Sequence, residues 1–194
     1  MKTKHNISDE LLMGYAAGVL PQAFDLVVAS HVSLSSDSRA RLDGFEAIGG
    51  ALLNDLDCVD VAEDSLDAVI AMIGGAAPDP VDPKAPTDSV LPEPLRAVVG
   101  GDIDSVAWRP ITRGVKQAVL HDDETGTARL LRIPAGGEMP RHSHRGMEMT
   151  LVLQGAYRDE DGRYGRGDIE VAGEDVHHTP VAEDGDPCIC LIAT

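Results

Sequence analysis

Between residues 76 and 86 the chain reads Ala-Ala-Pro-Asp-Pro-Val-Asp-Pro-Lys-Ala-Pro. Proline locks φ and has no backbone N–H to give, so at this density neither a helix nor an internal strand persists. The segment divides the chain, and the texture differs on its two sides. The expected layout is a helical domain over 1–76, a Pro-rich linker over 77–90 and a β domain over 91–194.

Helical spacing governs residues 8 to 75. Ser8 is placed to cap a helix, with Asp9 and Glu10 in its positive first turn. Leu11, Leu12, Tyr15 and Ala16 follow on one face, and Gly18 stops the run. Pro21 suits the start of a second helix through Phe24, Val27, Val28 and His31. Ser35 or Ser36 can cap a third, through Leu42, Phe45, Ile48 and Leu52. Ser65 starts a fourth, with Leu66, Val69, Ile70 and Ile73 on its apolar side. Together these predict a small helical bundle.

From Leu91 onward the pattern becomes short strand-like runs at 106–111, 115–120, 127–133, 148–153, 168–171 and 188–193. Gly/Asp turns separate them, which is the signature of a sandwich or barrel. The fold class expected is therefore multidomain, an α bundle followed by an all-β barrel. Aromatics make up only 3% of the chain, so both cores must be built from Ala, Val, Leu and Ile.

Charge and cysteine content narrow the function classes. A net charge of -17 argues against direct nucleic-acid binding, which needs a basic footprint. It suits a basic protein partner, although solubility alone also explains it. No apolar run approaches a membrane span, and residues 1–6 lack the apolar stretch of a signal peptide. Three cysteines, Cys58, Cys188 and Cys190, do not form a disulfide framework. The expected compartment is cytoplasmic.

The strongest chemical statement lies in the β half. His142 and His144 stand at i and i+2, on one face of an extended segment, and Glu148 follows across a Gly-containing turn. Two imidazoles and a carboxylate that converge are a donor set divalent transition metals prefer. His177 and His178 are the candidates for a further ligand. Cys188 and Cys190 place two thiols on one face of a late strand; they read as small core side chains or as a redox-sensitive pair near the metal.

Gly136, His142, His144, Glu148 and Gly155 fit the first motif of the cupin superfamily, G-x5-H-x-H-x3-E-x6-G, at every spacing. The second cupin motif is weaker. With Gly167 as its first glycine its histidine falls on His178, while Gly173, Asp175 and Ala182 replace its Pro, Gly and Asn. The resemblance implies a cupin barrel whose metal is held by His142, His144, Glu148 and His178. Zinc is placed first, with Mn, Fe or Ni compatible with the same donors.

The helical half resembles the anti-sigma domain of the ChrR-type zinc-binding anti-sigma factors. The resemblance rests on residues 8–12, 15–18, 23–24 and 27–31, and on shorter strings that run on through the β half. It implies a helical domain that grips an extracytoplasmic-function sigma factor, and a cupin domain that modulates release under oxidative stress such as singlet oxygen. It also implies further chain beyond Thr194. One feature departs from the family. Its zinc motif is H-x3-C-x2-C with another histidine upstream; here His31 is kept, Ser35 and Ser38 replace the cysteines, and Asn6 or His5 falls at the upstream place. A serine hydroxyl is a hard donor that stays protonated near neutral pH, so no tight zinc is expected there. The competing expectation is a cupin metalloenzyme, of dioxygenase or isomerase type, with Arg132 and Arg141 as the nearest cationic candidates.

Overall fold

The computed structural model describes residues 3–74, 89–143 and 146–194. Most of the Pro-rich segment and His144 lie outside the described residues. Four helices come first: α1 Asp9–Ala16, α2 Gln22–Leu34, α3 Ser36–Asn54 and α4 Ser65–Gly74. A fifth, α5 Glu93–Val99, leads into nine strands among the described residues. These are β1 Arg109–Pro110, β2 Lys116–Asp123, β3 Gly126–Ile133, β4 Glu148–Gln154, β5 Ala156–Arg158, β6 Arg163–Gly165, β7 Ile169–Ala172, β8 Val181–Ala182 and β9 Cys188–Ala193.

Local chemistry accounts for the helix ends. Ser8 Oγ accepts from the Leu11 N–H, and Ser35 Oγ accepts from the Ser38 N–H, each satisfying a first-turn donor. α5 was not expected from the sequence. It starts after Pro92, carries Pro94 in its first turn and ends on Gly100 at φ +77.

All strand pairs are antiparallel, in a six-stranded sheet of order β1-β2-β3-β9-β4-β7 and a three-stranded sheet of order β6-β5-β8. The expected strand over 106–111 shrinks to β1, because a 3-10 turn at Ile103–Ser105 precedes it and Pro110 cannot extend a ladder. The large sheet is covered on both faces at its centre. On β9, Ile189, Leu191 and Ala193 point to one side, and Cys188, Cys190 and Ile192 to the other. That double burial is why β4 and β9 read as nearly unbroken apolar runs.

The outer face packs on helices. α2 lies across β3, β4 and β9, and Val27 and Val28 share a core with Leu130, Leu151 and Leu191. Burying each of these leucines contributes about 1.5–3 kcal/mol. The segment before α1 is stitched to the same region: the Lys4 and His5 N–H groups donate to Asp168 Oδ1, and the Ile169 N–H donates to the His5 carbonyl. The inner face, with Leu131, Ile133, Val152, Cys190 and Ile192, closes against the smaller sheet and makes the barrel interior.

One helix departs from the expected bundle. α1, α2 and α3 pack together, but α4 buries none of its described side chains.

Candidate metal centre

Three of the expected ligands come from different parts of the barrel. Glu148 opens β4 and is 8% exposed. His142 lies in the segment before it, and His178 in the segment between β7 and β8. A two-way backbone pairing, His142 N–H to His178 carbonyl and the reverse, each at 3.3 Å, sets these segments side by side. Gly155, the last glycine of the first motif, sits at φ +68; a Cβ there would lie 3.1 Å from Cys188 Cα. No other residue lets β4 turn so closely against the start of β9.

The ring nitrogens define the site. His142 Nε2 and His178 Nε2 are 3.3 Å apart. His142 Nδ1 is 2.8 Å from the Pro140 carbonyl, and His178 Nδ1 is 3.0 Å from Glu170 Oε1 and 3.3 Å from Asp159 Oδ2. A carbonyl and a carboxylate only accept, so both Nδ1 atoms carry the proton. In neutral rings the two Nε2 atoms then turn lone pairs toward one another. A divalent cation shared by both relieves that opposition, and the Glu148 carboxylate completes the convergence. Ligand atoms of His142, Glu148 and His178 lie within 4.8 Å of each other. The donor set therefore fits a borderline divalent ion.

Behind His178 stands a second layer. Asp159, Glu170 and His178 form a cluster of the same tightness. The Tyr157 hydroxyl donates to Glu170 Oε2 at 2.5 Å. Burial raises the Glu170 carboxyl above its usual range, against the Tyr157 and His178 contacts that lower it. Burial, and then the Glu170 charge, likewise pushes the Tyr157 hydroxyl far up, so that proton stays on the phenol. Carboxylates that accept from a ligating imidazole fix its tautomer and raise its basicity. Sequence reading missed Asp159 and Glu170, since their proximity to His178 depends on cross-strand register.

The other candidates resolve as follows. His144 lies outside the described residues, so its contribution stands on the motif alone. His177 is exposed. Cys188 and Cys190 are buried with Sγ atoms 3.6 Å apart. Cys190 also faces the cavity, where its Cys188 neighbour and burial hold its thiol well above the ordinary value.

The barrel opens beside the expected ligands into a cavity of about 410 Å³. Its wall is apolar through Leu131, Ile133, Met139 and Ile192, and polar through Gln117, Arg129 and Thr150.

A second histidine-centred cluster forms between α2 and α3. His31 is fully buried. Its Nδ1 lies 3.0 Å from the Gly167 carbonyl and its Nε2 lies 2.9 Å from Ser38 Oγ. The carbonyl requires an N–H at Nδ1, so the Ser38 hydroxyl donates to Nε2. Ser35 Oγ donates to Asn6 Oδ1 at 3.4 Å, and Thr3 Oγ1 also donates to Asn6. His5 turns away to stack on Tyr164 with centroids 4.5 Å apart. Asn6, His31, Ser35 and Ser38 thus form a hydrogen-bonded group without a thiolate, where the resemblance would put zinc.

Comparison with known proteins follows the same outline. Residues 96–194 match the family described as the ChrR Cupin-like domain. The anti-sigma-E factor ChrR of Cereibacter sphaeroides is 47% identical over all 194 residues, which span 91% of that protein. The crystal structure of Rhodobacter sphaeroides SigE in complex with the anti-sigma ChrR superposes with a TM-score of 0.86. That match has 46% identity and covers 100% of this chain and 99% of the other.

Proposed function

The chain belongs to the ChrR family of anti-sigma factors, and from that membership we propose that it holds an extracytoplasmic-function sigma factor inactive through its helical half. The observation that carries this reading is a set of large apolar side chains that no described residue buries. Leu52 and Leu53 near the end of α3, and Leu66, Ile70 and Ile73 on α4, are all more than half exposed. Exposed large apolar side chains gathered on a helix in this number mark a protein interface. Between residues 43 and 67 there are eight acidic residues and no lysine or arginine, so the surface suits a basic partner. The relative solved with a sigma factor supports the same assignment.

The β half carries the metal in this proposal, on His142, His144, Glu148 and His178, with zinc as the ion. The metal would supply a fixed positive charge that ties three segments of the barrel together. The chain's own residues do the rest: Pro140 and Glu170 orient the two imidazoles, and Gly155 lets β4 bring Glu148 in. We assign the boundaries at 1–76 and 91–194, with a linker over 77–90, and release of the partner under oxidative stress. No described helix is long and apolar enough to cross a membrane; the proposed site of action is the cytoplasm. An enzymatic reading fits less well. Among the cavity-lining groups outside the ligands, the Tyr157 and Cys190 protons are held firmly, and the Glu170 carboxyl is already engaged by the Tyr157 hydroxyl and the His178 ring.

The test is co-expression with the extracytoplasmic-function sigma factors of the same organism. A complex stable at micromolar concentration is expected with one of them. Leu66→Asp with Ile70→Asp should weaken it roughly 100-fold or more while leaving the metal content unchanged. Failure to hold any such sigma factor at micromolar concentration would sink the reading.

A further inference from the structure

We propose that the barrel cavity binds a small amphipathic carboxylate, whose head group is held by Arg129 and whose apolar body lies along Leu131, Ile133, Met139 and Ile192. The proposal goes beyond the anti-sigma reading, and draws on the metal reading only for the second pole of the site.

The argument begins with an unsatisfied donor. Arg129 lies on β3 and lines the cavity. Its Nε is shut off from solvent and has no hydrogen-bond partner among the described residues. Among the described residues its Nη2 meets Thr194 Oγ1, at 3.4 Å. A buried, charged donor left unmet costs about 1–3 kcal/mol or more, and native proteins rarely keep one without a use. Nε and an Nη of one guanidinium form a fork that matches the two oxygens of a carboxylate.

Register places this fork opposite the metal ligands. Arg129 pairs with Ile192, and Ile192 pairs on its other side with Thr150, which in turn pairs with Glu170. Arg129 and Thr150 therefore stand two strands apart, roughly 10 Å between backbones. Glu148 is two residues from Thr150 on the same face of β4. Both side chains extend inward, so one small molecule can touch the guanidinium at one end and lie beside His142, Glu148 and His178 at the other. A volume of about 410 Å³ admits such a molecule. The wall between the poles is apolar, so an inorganic oxyanion would leave it unfilled; an acid with a short hydrocarbon body fills it.

The alternation of β3 carries the same information. Ala128 and Leu130 face the helices, while Leu131 and Ile133 face the barrel. Arg129 has the parity of the second pair, at a position where a core-facing strand would otherwise hold an aliphatic side chain.

The experiment is calorimetric titration of the full chain with hexanoate, and with hexanamide and inorganic phosphate as controls. Each is run on metal-loaded and on metal-stripped protein, with metal content read separately by elemental analysis. Hexanoate is expected to bind about 10-fold or more tightly than hexanamide, and Arg129→Gln should bring the acid down to the level of the amide. Arg129→Lys, which keeps charge without the fork, should fall between. Thermal melts check that each variant is folded. Hexanoate that fails to bind wild-type protein at millimolar concentration overturns the proposal. So does hexanoate binding that is equal in wild type and Arg129→Gln, or phosphate binding tighter than hexanoate. A chain that carries no metal yet binds hexanoate through Arg129 refutes the metal reading and leaves this one standing.

Discussion

In the cluster between α2 and α3, His31 has both ring nitrogens engaged by protein atoms, the Gly167 carbonyl and the Ser38 hydroxyl. In the barrel, His142 and His178 each have Nδ1 engaged by an acceptor and turn Nε2 toward a shared point. His31 and His178 are both buried, and both clusters lie near the same large sheet. The first is closed: every ring position is met by a neutral partner, and a cation would displace hydrogen bonds to enter. The second turns two Nε2 atoms toward a shared point beside the Glu148 carboxylate, a donor set that a divalent cation fits. An imidazole is neither structural nor metal-binding by type; what its second nitrogen faces decides the matter.

Metal counts give the sharpest break between the two. Elemental analysis of wild-type protein should find about one divalent ion per chain, and His178→Ala should abolish it, whereas His31→Ala should leave it in place. Combining Asn6→His with Ser35→Cys and Ser38→Cys should turn the closed cluster into an open one and add a second ion. The restored site would carry an apparent binding free energy on the order of 10–16 kcal/mol, as structural zinc sites do. Two ions in the wild type would refute the contrast.

Stability separates them next. His31→Ala leaves the Gly167 carbonyl and the Ser38 hydroxyl buried without their partner and opens a void in the α2–sheet contact. A loss of about 2–4 kcal/mol is expected from the unmet groups and the cavity together. Denaturant unfolding of the metal-stripped protein measures it. A loss under about 0.5 kcal/mol, the range of an ordinary surface substitution, would mean that the cluster does not support the fold.

A smaller effect is expected behind the barrel site. Glu170→Gln keeps the shape next to His178 but removes the charge that raises the imidazole's basicity. Metal affinity should fall about 10–100-fold with little change in the fold. Competition with a chelator reads it, and unchanged affinity would show that Asp159 alone orients His178.

The legible parts of this molecule are those whose cause is local. Ser8 and Ser35 announce helix starts because the capping oxygen is in the sequence itself. β4 and β9 announce themselves as unbroken apolar runs because both of their faces are covered. The convergence of His142, Glu148 and His178 was legible because a motif records their spacing. α5 was missed although Pro94 in its first turn and Gly100 at its end mark it, because seven residues carry too little periodicity. Glu170, Asp159 and Arg129 were out of reach for another reason. Each matters through a cross-strand neighbour, and register between distant strands is not written in any one of them. α4 shows a third kind of limit. Its apolar face was read correctly as a helix but assigned to the bundle, and the pattern alone does not say whether an apolar face is met by its own chain or by another.

The last contrast concerns protons. Burial, the largest influence on His31, lowers its pKa below the ordinary 6.5, against smaller upward pulls from the Gly167 hydrogen bond and Asp168. The neutral ring is the form the fold accepts, because burial strips water from the charged form. The unfolded chain takes up this proton near pH 6.5, and the folded chain only at lower pH. Between those two points the unfolded state binds more protons, so stability rises with pH. The full contribution is therefore present above about pH 6.5 and is lost as pH falls through the folded value. Groups common to wild type and His31→Ala cancel, so the difference between the two proteins isolates His31. That difference, measured by denaturant unfolding of metal-stripped protein, should be largest at pH 8 and should shrink as pH is lowered toward 5. A difference that grows on acidification would mean that the folded state favours the charged ring, and the closed cluster would then have more in common with an ion site than its hydrogen bonds allow.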